Sequence, residues 1–205
     1  MKHERIQIFE GRDSISIPVP ESFSDCVKLA QSDFYRYTGK DNASLMMMFY
    51  YSWINYNFAF CLWFRLSKVE TILFPFFRWK LERTCRNHGL SFSRNVKCGY
   101  GLHIVHAIGI VVNATAILGN NVTLHQHVNI GSDKDHAAIV GDNVYIGPQV
   151  CLVEHVRIGT NAVIGAGSVV VKDMHGGVIV GNPAHIVKDN ISSFYGHYPY
   201  PIVNK

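Results

Sequence analysis

Residues 140–171 read VGDNVYIGPQVCLVEHVRIGTNAVIGAGSVVV, and in this stretch an aliphatic side chain recurs at every sixth position. The same spacing runs through residues 112–130, so the period holds with a single interruption. The repeating positions are Val112, Leu118, Leu124, Ile130, Val140, Ile146, Leu152, Ile158, Ile164 and Val170. A helix has a period of about 3.6 residues and a strand a period of about 2, so neither explains this pattern. A six-residue repeat is typical of a parallel β-helix, in which each hexad supplies one short strand and one turn.

Two other positions of the hexad favour the same fold. Glycine follows the aliphatic residue at Gly119, Gly131, Gly141, Gly147, Gly159 and Gly165. Small or β-branched side chains occupy the position four residues after it, at Ala116, Val122, Val128, Val144, Val150, Val156, Ala162 and Ser168. Glycine allows backbone geometry that a side chain would forbid, which suits tight turns. The pattern therefore predicts a mainly β structure whose aliphatic side chains fill the interior of the coil.

Composition indicates a folded protein and excludes several classes. Of 205 residues, 48% are hydrophobic and 17% are charged, which is below the usual charged fraction of about 25%. A net charge of +4 is too small to indicate a nucleic-acid partner. The five cysteines include no C-x-x-C pair, which is typical of reduced thiols rather than of disulfides or a zinc site. The first twenty residues contain charges and two prolines instead of an apolar core, so we expect no signal peptide and a cytoplasmic location.

The chain divides into three predicted parts. Residues 1–90 lack the hexad and are expected to form an α-helical N-terminal domain. Residues 91–188 are expected to form the β-helix domain, and residues 189–205 a C-terminal tail.

One apolar stretch of the N-terminal part admits three interpretations. Residues 44–64 contain no charged residue, and their length would be enough to span a bilayer. Polar and aromatic residues within it argue against a span, and favour a buried helix or one packed between subunits. A helix on a membrane surface is the third interpretation, because basic residues follow the stretch and could contact anionic lipid. These are Arg65, Lys68, Arg78, Lys80, Arg83 and Arg86.

The interruption of the hexads is a candidate functional loop. Four additional residues lie between Ile130 and Val140, so residues 132–139 form an enlarged turn that carries charges. Loops that project from a rigid scaffold often hold binding groups, although a harmless insertion would give the same pattern.

Histidines cluster near this loop. Five of the eleven lie between residues 103 and 136: His103, His106, His125, His127 and His136. Counting back six residues from Val112 places His106 at a core position, a violation that often marks a functional site. Imidazole titrates near neutral pH and could act there as a general base, or simply be a satisfied structural histidine. His125 and His127 are two residues apart and would share one face of a strand, as a metal pair or as solvated side chains.

Several motifs resemble a known family. Residues 106–112 read HAIGIVV and resemble the HATGIVV segment that carries the catalytic histidine of serine acetyltransferases. Residues 164–170, IGAGSVV, match a further motif of that branch, and residues 181–184, GNPA, resemble its closing G-x-P-A. Residues 33–36 and 40–43 resemble the D-x-x-x and R-D-P-A elements of its helical domain. The chain therefore resembles the hexapeptide-repeat acyltransferases, whose β-helix is left-handed.

The resemblance implies an enzyme that uses acetyl-CoA and needs no metal. His106 would be the general base, and His136 a second catalytic residue. Backbone N–H groups would stabilise the oxyanion. The family binds acetyl-CoA between the subunits of a homotrimer. In this sequence, that site maps onto Gly147, Pro148, Ala166, Gly167, Gly181, Asn182, Pro183, Ala184 and Lys188.

Departures from the serine enzymes suggest another acceptor. Their substrate-binding aspartate is replaced by Val105, and the arginine of their extruded loop by Asp135, which would repel a carboxylate. Asp41 and His136 are kept, so an acceptor pocket is still expected, and Tyr35 could stack on a sugar ring. The aspartate that orients the family's histidine is replaced by Ser91. Glu154 is one candidate to take over that task, and Lys188 could replace a missing phosphate contact.

These departures lead to the prediction of an O-acetyltransferase for a bacterial surface saccharide such as capsule, O-antigen or exopolysaccharide. Peripheral contact with the inner face of the membrane would suit such an acceptor. The alternatives are a serine or other small-molecule acetyltransferase, a zinc-dependent β-helix lyase and a non-catalytic trimeric scaffold.

Overall fold

The computed structural model describes residues 1–11, 13–133, 136–189 and 196–201. It confirms the predicted fold class, a helical N-terminal region followed by a left-handed parallel β-helix. The helices are α1 (Phe23–Thr38), α2 (Leu45–Ile54), α3 (Tyr56–Leu66) and α4 (Phe74–His88). An antiparallel hairpin, β1 (Lys2–Phe9) and β2 (Asp13–Val19), precedes them.

This hairpin lies within the part predicted to be helical, and it corrects that prediction for residues 2–19. Its strands alternate apolar and polar side chains, a period typical of a half-buried strand. Ile8, Ile15 and Ile17 are buried and pack against Ile117 and Ile139 on the β-helix. The hairpin thus covers one face of the coil.

The apolar stretch of residues 44–64 forms two helices instead of one. Asn55 ends α2, and its side chain accepts the backbone N–H of Phe58, which caps α3. Every residue of α3 from Phe58 to Leu66 is buried, whereas α2 buries only Met48. The interpretation as a buried helix therefore holds for α3 and fails for α2. None of the described helices is long and apolar enough to cross a membrane.

The β-helix has a triangular cross-section built from three parallel sheets. Its two-residue strands are β3 (Ser91–Phe92), β4 (Lys97–Cys98), β5 (His103–Ile104), β6 (Val111–Val112), β7 (Ile117–Leu118), β8 (Thr123–Leu124), β9 (Asn129–Ile130), β10 (Ile139–Val140), β11 (Tyr145–Ile146), β12 (Cys151–Leu152), β13 (Arg157–Ile158), β14 (Val163–Ile164) and β15 (Val169–Val170). A closing hairpin is formed by β16 (Val178–Gly181) and β17 (Ala184–Lys188). Sheet 1 contains β3, β6, β9, β12 and β15; sheet 2 contains β4, β7, β10 and β13; sheet 3 contains β5, β8, β11, β14, β16 and β17. The repeating aliphatic residues fill the core.

The repeat begins earlier than residue 112. Phe92, Cys98 and Ile104 occupy core positions of the first coil. Val112 follows Ile104 by eight positions instead of the usual six. The prediction that His106 replaces a core aliphatic is therefore wrong. His106 instead lies in a turn enlarged by two residues, and its side chain is exposed.

The chain turns between sheets at three corners, which we name by their residues. The histidine corner, from sheet 3 to sheet 1, contains residues 105–110, 125–128, 147–150 and 165–168. The loop corner, from sheet 1 to sheet 2, contains residues 93–96, 113–116, 131–133, 136–138 and 153–156. The asparagine corner, from sheet 2 to sheet 3, contains residues 99–102, 119–122, 141–144 and 159–162.

The three faces are covered differently. The hairpin β1–β2 covers sheet 2. Helix α1 lies over sheet 3, where the Arg36 guanidinium donates to Thr123 Oγ1 at 2.9 Å and the Tyr37 hydroxyl donates to the Ile104 carbonyl at 2.7 Å. On sheet 1 the outward side chains of Val111 and Asn129 are exposed.

Candidate active site

The histidine corner carries His106 on its first and largest turn. The imidazole is exposed, and the neighbouring side chain of Val105 is half-buried. An apolar Val105 offers no charge to a substrate that approaches His106. An exposed imidazole beside an apolar wall could accept a proton from a hydroxyl group.

The backbone of this turn is held by hydrogen bonds within the protein. The N–H of Ala107 donates to Oδ1 of Asn57 on α3 at 2.8 Å, and the N–H of Gly109 donates to the carbonyl of His88 at 3.1 Å. The N–H of Ile108 donates to the carbonyl of His106 at 2.9 Å. All three N–H groups are thus engaged, so the expected backbone donors for an oxyanion do not come from residues 107–109. Asn57 is a positioning residue that sequence reasoning missed, because nothing in the sequence relates it to residue 107.

A second histidine lies beside His106. The His125 ring centroid lies 6.3 Å from that of His106 and 4.9 Å from that of Tyr145. Burial lowers the pKa of His125, and the nearby charge of His106 lowers it further. The surroundings of His125 therefore favour its neutral imidazole. The six-residue spacing contained the signal for this neighbour, because it places residue 125 on the coil next to the turn of residues 105–110.

His125 and His127 do not share a strand face. Strand β8 ends at Leu124, and His127 lies in the turn with a φ of +58° and an exposed side chain. A methyl group added at Gly109, whose φ is +62°, would lie 2.4 Å from His127 Nδ1. The pair predicted from the two-residue spacing is therefore two separate turn residues.

Four of the nine residues expected to bind acetyl-CoA lie along the same corner. Gly147 is buried and Pro148 half-buried on one turn, and Ala166 and Gly167 are exposed on the next. Gly167 has a φ of +70°, and no atom lies within 4 Å of the place where its Cβ would be. This open backbone could accept the close approach of a thin ligand.

The closing hairpin extends the row of residues expected to bind acetyl-CoA. Strand β16 stacks in parallel on β14, so the turn of residues 181–184 lies at the end of sheet 3 that borders the histidine corner. Asn182 and Pro183 are exposed there, whereas Ala184 is buried. Lys188 pairs with Val178 at the opposite end of the hairpin. The structure therefore separates Lys188 from the turn that it was expected to assist.

His136 lies at the loop corner, away from His106 within one chain. Its side chain is exposed, and its carbonyl accepts the N–H of His155 at 3.0 Å. Asp135 lies outside the described residues. Glu154 belongs to the same corner, where its Oε2 accepts the N–H of Asp133 at 3.1 Å and the hydroxyl of Ser132 at 3.2 Å. Glu154 therefore supports the enlarged loop, and within one chain it lies at a different corner from His106.

The two candidates from the helical region lie beside the C-terminal residues. Tyr35 contacts Tyr198 and Tyr200 edge to face, with ring centroids 6.5 and 5.8 Å away. Asp41 is exposed after α1. Burial raises the pKa of Tyr200, and the charge of Asp41 raises it further. Within one chain, Tyr35 packs with aromatic neighbours and does not join His106.

Within residues 1–11, 13–133, 136–189 and 196–201, no three His, Cys, Asp or Glu side chains are grouped so that they could hold a metal ion. The zinc alternative therefore has no ligand set in this part of the chain.

Comparison with known proteins places the repeat in one family. The family model described as "Bacterial transferase hexapeptide (six repeats)" matches residues 137–172. The mitochondrial serine acetyltransferase 3 of Arabidopsis thaliana is 34% identical over 136 residues, which are 63% of this chain and 33% of that protein. A serine acetyltransferase of Staphylococcus aureus is 36% identical over 108 residues, half of each chain. The chain thus spans between a third and a half of these curated relatives.

Solved structures give a longer match. The serine acetyltransferase of Neisseria gonorrhoeae in complex with serine superimposes with a TM-score of 0.63 at 30% identity, covering 80% of this chain and 69% of that one. The soybean serine acetyltransferase apoenzyme superimposes with a TM-score of 0.64 at 28% identity, covering 79% and 69%.

Proposed function

Because this chain belongs to the serine acetyltransferase family of hexapeptide-repeat transferases, we propose that it transfers the acetyl group of acetyl-CoA to the hydroxyl of a small molecule. Serine is the first acceptor to test, because serine acetyltransferases recur among both its sequence relatives and its structural neighbours. One observation carries the proposal. An exposed His106 heads the corner along which the exposed Ala166 and Gly167 lie, and the exposed Asn182 and Pro183 border its far end.

The prediction of a surface-saccharide acceptor is wrong. It depended on Val105 and Asp135, which depart from the serine enzymes, yet the relatives and the solved structures are serine acetyltransferases. Two substitutions in an acceptor pocket alter the groups that hold a substrate, and they do not identify the class of its replacement. Val105 removes one charged contact and supports, as a second candidate, a small hydroxyl compound without the ammonium group of serine.

The chemistry follows from the position of His106. The imidazole removes the proton of the acceptor hydroxyl as the oxygen attacks the thioester carbonyl. The C–S bond then breaks, and the protonated imidazole returns the proton to the sulfur, so that coenzyme A leaves as the thiol. Val105 shields one side of the reacting groups from water. The pantetheine arm lies along Pro148, Ala166 and Gly167, of which Gly167 leaves open space where a Cβ would be.

The proposal includes a homotrimer in the cytoplasm. Hairpin β1–β2 and helix α1 cover sheets 2 and 3, whereas sheet 1 presents Val111 and Asn129 to the surroundings. Sheet 1 lies between the histidine corner and the loop corner. Subunits that meet along this face would bring His136 of one chain to His106 of the next.

The test is release of the coenzyme A thiol from acetyl-CoA, measured with serine and a panel of small hydroxyl compounds. We expect release with at least one of them, and loss of about two to four orders of magnitude in kcat for His106→Ala, as is usual for a general base. His3→Ala, in the hairpin on another face, is the matched control and should retain activity. Equal activity of His106→Ala and wild type would contradict the role of His106. Release with polysaccharides alone would contradict a small acceptor.

A further inference from the structure

The outer side of α2 is apolar and exposed. Met46, Tyr50, Trp53 and Ile54 recur at the spacing of one helix face and are exposed by 82%, 64%, 85% and 63%. Single large apolar side chains with such exposure are common on protein surfaces, but a row of them along one helix face is not. A helix that buries only Met48 therefore presents a hydrophobic face that the fold of one chain does not use.

This surface continues onto α4 and the segment before it. Trp63 of α3 lies between the two helices, with its ring centroid 5.7 Å from that of Phe49 on α2 and 6.1 Å from that of Phe76 on α4. The α3–α4 connection adds an almost fully exposed Ile72 and an exposed Leu73. We call the whole surface the apolar face, and its exposed members are Met46, Met47, Tyr50, Trp53, Ile54, Ile72, Leu73, Phe76 and Trp79.

Positive charges outnumber negative ones around the apolar face. From Asn42 to Val69 the sequence contains no acidic residue. Along α4 lie four cationic side chains and a single carboxylate, Glu82, which already pairs with Arg78 at 2.7 Å. The other cations of α4 are Lys80, Arg83 and Arg86. The exposed Glu70 borders the α3–α4 connection and lies 4.0 Å from Arg94, so the margin of the face is mainly basic.

Two of these cations lie over the aromatic rings of the face. Lys80 Nζ lies 5.4 Å from the Trp79 ring centroid and 5.6 Å from that of Phe76, and the Arg83 guanidinium lies 5.7 Å from that of Trp79. Cations beside tryptophan and tyrosine are the combination that suits the headgroup region of a bilayer. The rings enter the interface while the long basic side chains reach the anionic headgroups.

We propose that the apolar face binds the surface of a membrane that contains anionic lipids. The exposed rings supply hydrophobic burial, and Lys80 and Arg83 supply attraction to the lipid charge. A second copy of the chain fits less well. A contact about a twofold axis would bring the α4 cations of both copies together, and the two carboxylates near the face, Glu82 and Glu70, already pair with Arg78 and Arg94 of the same chain. Because no described helix can span the bilayer, the helices lie on the membrane rather than across it.

The test is cosedimentation of the full chain with vesicles of phosphatidylcholine alone and with vesicles that contain about 30% phosphatidylglycerol. We expect binding to the anionic vesicles that weakens with added salt, and little binding to the neutral ones. Replacing Lys80 and Arg83 together by Gln should weaken binding about 25-fold at low ionic strength, from about fivefold for each cation. Trp53→Gln should weaken binding to both kinds of vesicle and reduce the blue shift of tryptophan fluorescence that accompanies insertion, leaving the part contributed by Trp79.

Two control variants carry the same changes elsewhere on the surface. Lys172→Gln removes an exposed cation and Val171→Gln an exposed apolar side chain of the β-helix, and both should bind vesicles as wild type does. Equal binding of wild type to neutral and anionic vesicles would overturn the proposal, as would no binding to either. A change of oligomeric mass in Trp53→Gln, with no vesicle binding by wild type, would assign the face to a second copy. Thiol release in solution does not depend on this face, so failure here leaves the proposed activity standing.

Discussion

Asn57 shows how a single side chain positions the turn that carries His106. Its Oδ1 accepts the N–H of Ala107, a fully buried residue next to His106. Without this acceptor, the N–H would be left unsatisfied, at a cost of about 1–3 kcal/mol. The turn would then relax, and displacement of a catalytic group by about 1 Å can lower the rate about a hundredfold.

We therefore expect Asn57→Leu to lower kcat by one to two orders of magnitude, roughly in line with that displacement, with a smaller effect on KM. Asn57→Asp keeps an oxygen at the same place and should retain most of the activity. Steady-state kinetics of thiol release, with urea unfolding of each variant, separate positioning from stability. Equal losses of kcat in both variants would show that the hydrogen bond does not position the turn.

His103 is a buried residue whose titration should affect stability. Burial lowers its pKa to about 3, helped by the positive charge of Arg36, and its ring contacts that of Tyr37 at 4.5 Å between centroids. The folded protein therefore keeps His103 neutral, whereas the unfolded chain binds a proton below its ordinary pKa of 6.5. Protonation of the unfolded chain favours unfolding as the pH falls.

The free energy of unfolding should accordingly lose about 1.4 kcal/mol for each pH unit between pH 6.5 and about 3 through this residue alone. Above pH 6.5 the contribution is constant. His103→Phe removes the titration, so the difference between its unfolding curve and that of wild type should widen in this window. Parallel pH dependences of the two proteins would rule out the neutral His103.

At the scale of elements, the helical region is attached to the β-helix by a buried ion pair. The Arg65 guanidinium of α3 donates to Asp33 of α1 at 2.7 and 3.0 Å, and both side chains are fully buried. Arg65 also donates to the carbonyls of Cys98 and Gly99, and Asp33 accepts the N–H of Leu102. One pair thus joins two helices to the first coil.

Asp33→Asn should lower the free energy of unfolding by about 3–5 kcal/mol, because it leaves the buried Arg65 charge uncompensated. Glu82→Gln on α4 breaks an exposed pair of similar length and should cost no more than about 0.5 kcal/mol. Urea unfolding followed by circular dichroism measures both. A similar small loss in the two variants would mean that water or another group neutralises Arg65.

At the scale of the whole molecule, the separation of His106 and His136 determines whether one chain can form a site that contains both. The two lie at different corners of one chain, so a site that uses both requires a neighbouring chain. Chains with His106→Ala and with His136→Ala, coexpressed in equal amounts, should therefore form some sites with both histidines intact. Random mixing in a cyclic trimer predicts about a quarter of the wild-type activity.

This complementation is measured by thiol release from the mixed oligomers after purification. Coexpression of His106→Ala with a chain that carries both substitutions is the control and should stay inactive. Activity no higher than that of the separate variants would indicate that each site is complete within one chain.

The hexad of residues 112–170 determined the β-helix by itself, because each aliphatic residue lies above another of the same kind in the next coil and the turns repeat with them. The motifs at residues 106–112 and 181–184 proved to border one corner, whereas the predicted site residues His136, Lys188 and Tyr35 lie elsewhere in one chain. Local pattern was sufficient here because a solenoid brings positions one coil apart into contact wherever the repeat is regular.

Three features depended on the tertiary structure. The enlarged turn moved His106 from the core to the surface, because two additional residues were accommodated in the turn rather than in a strand. Asn57 and Arg65 contact coil residues far along the chain, and no periodicity relates such positions. The hydrophobicity of residues 44–64 did not distinguish the buried α3 from the exposed α2, since burial depends on which neighbours cover a helix and not on its composition alone.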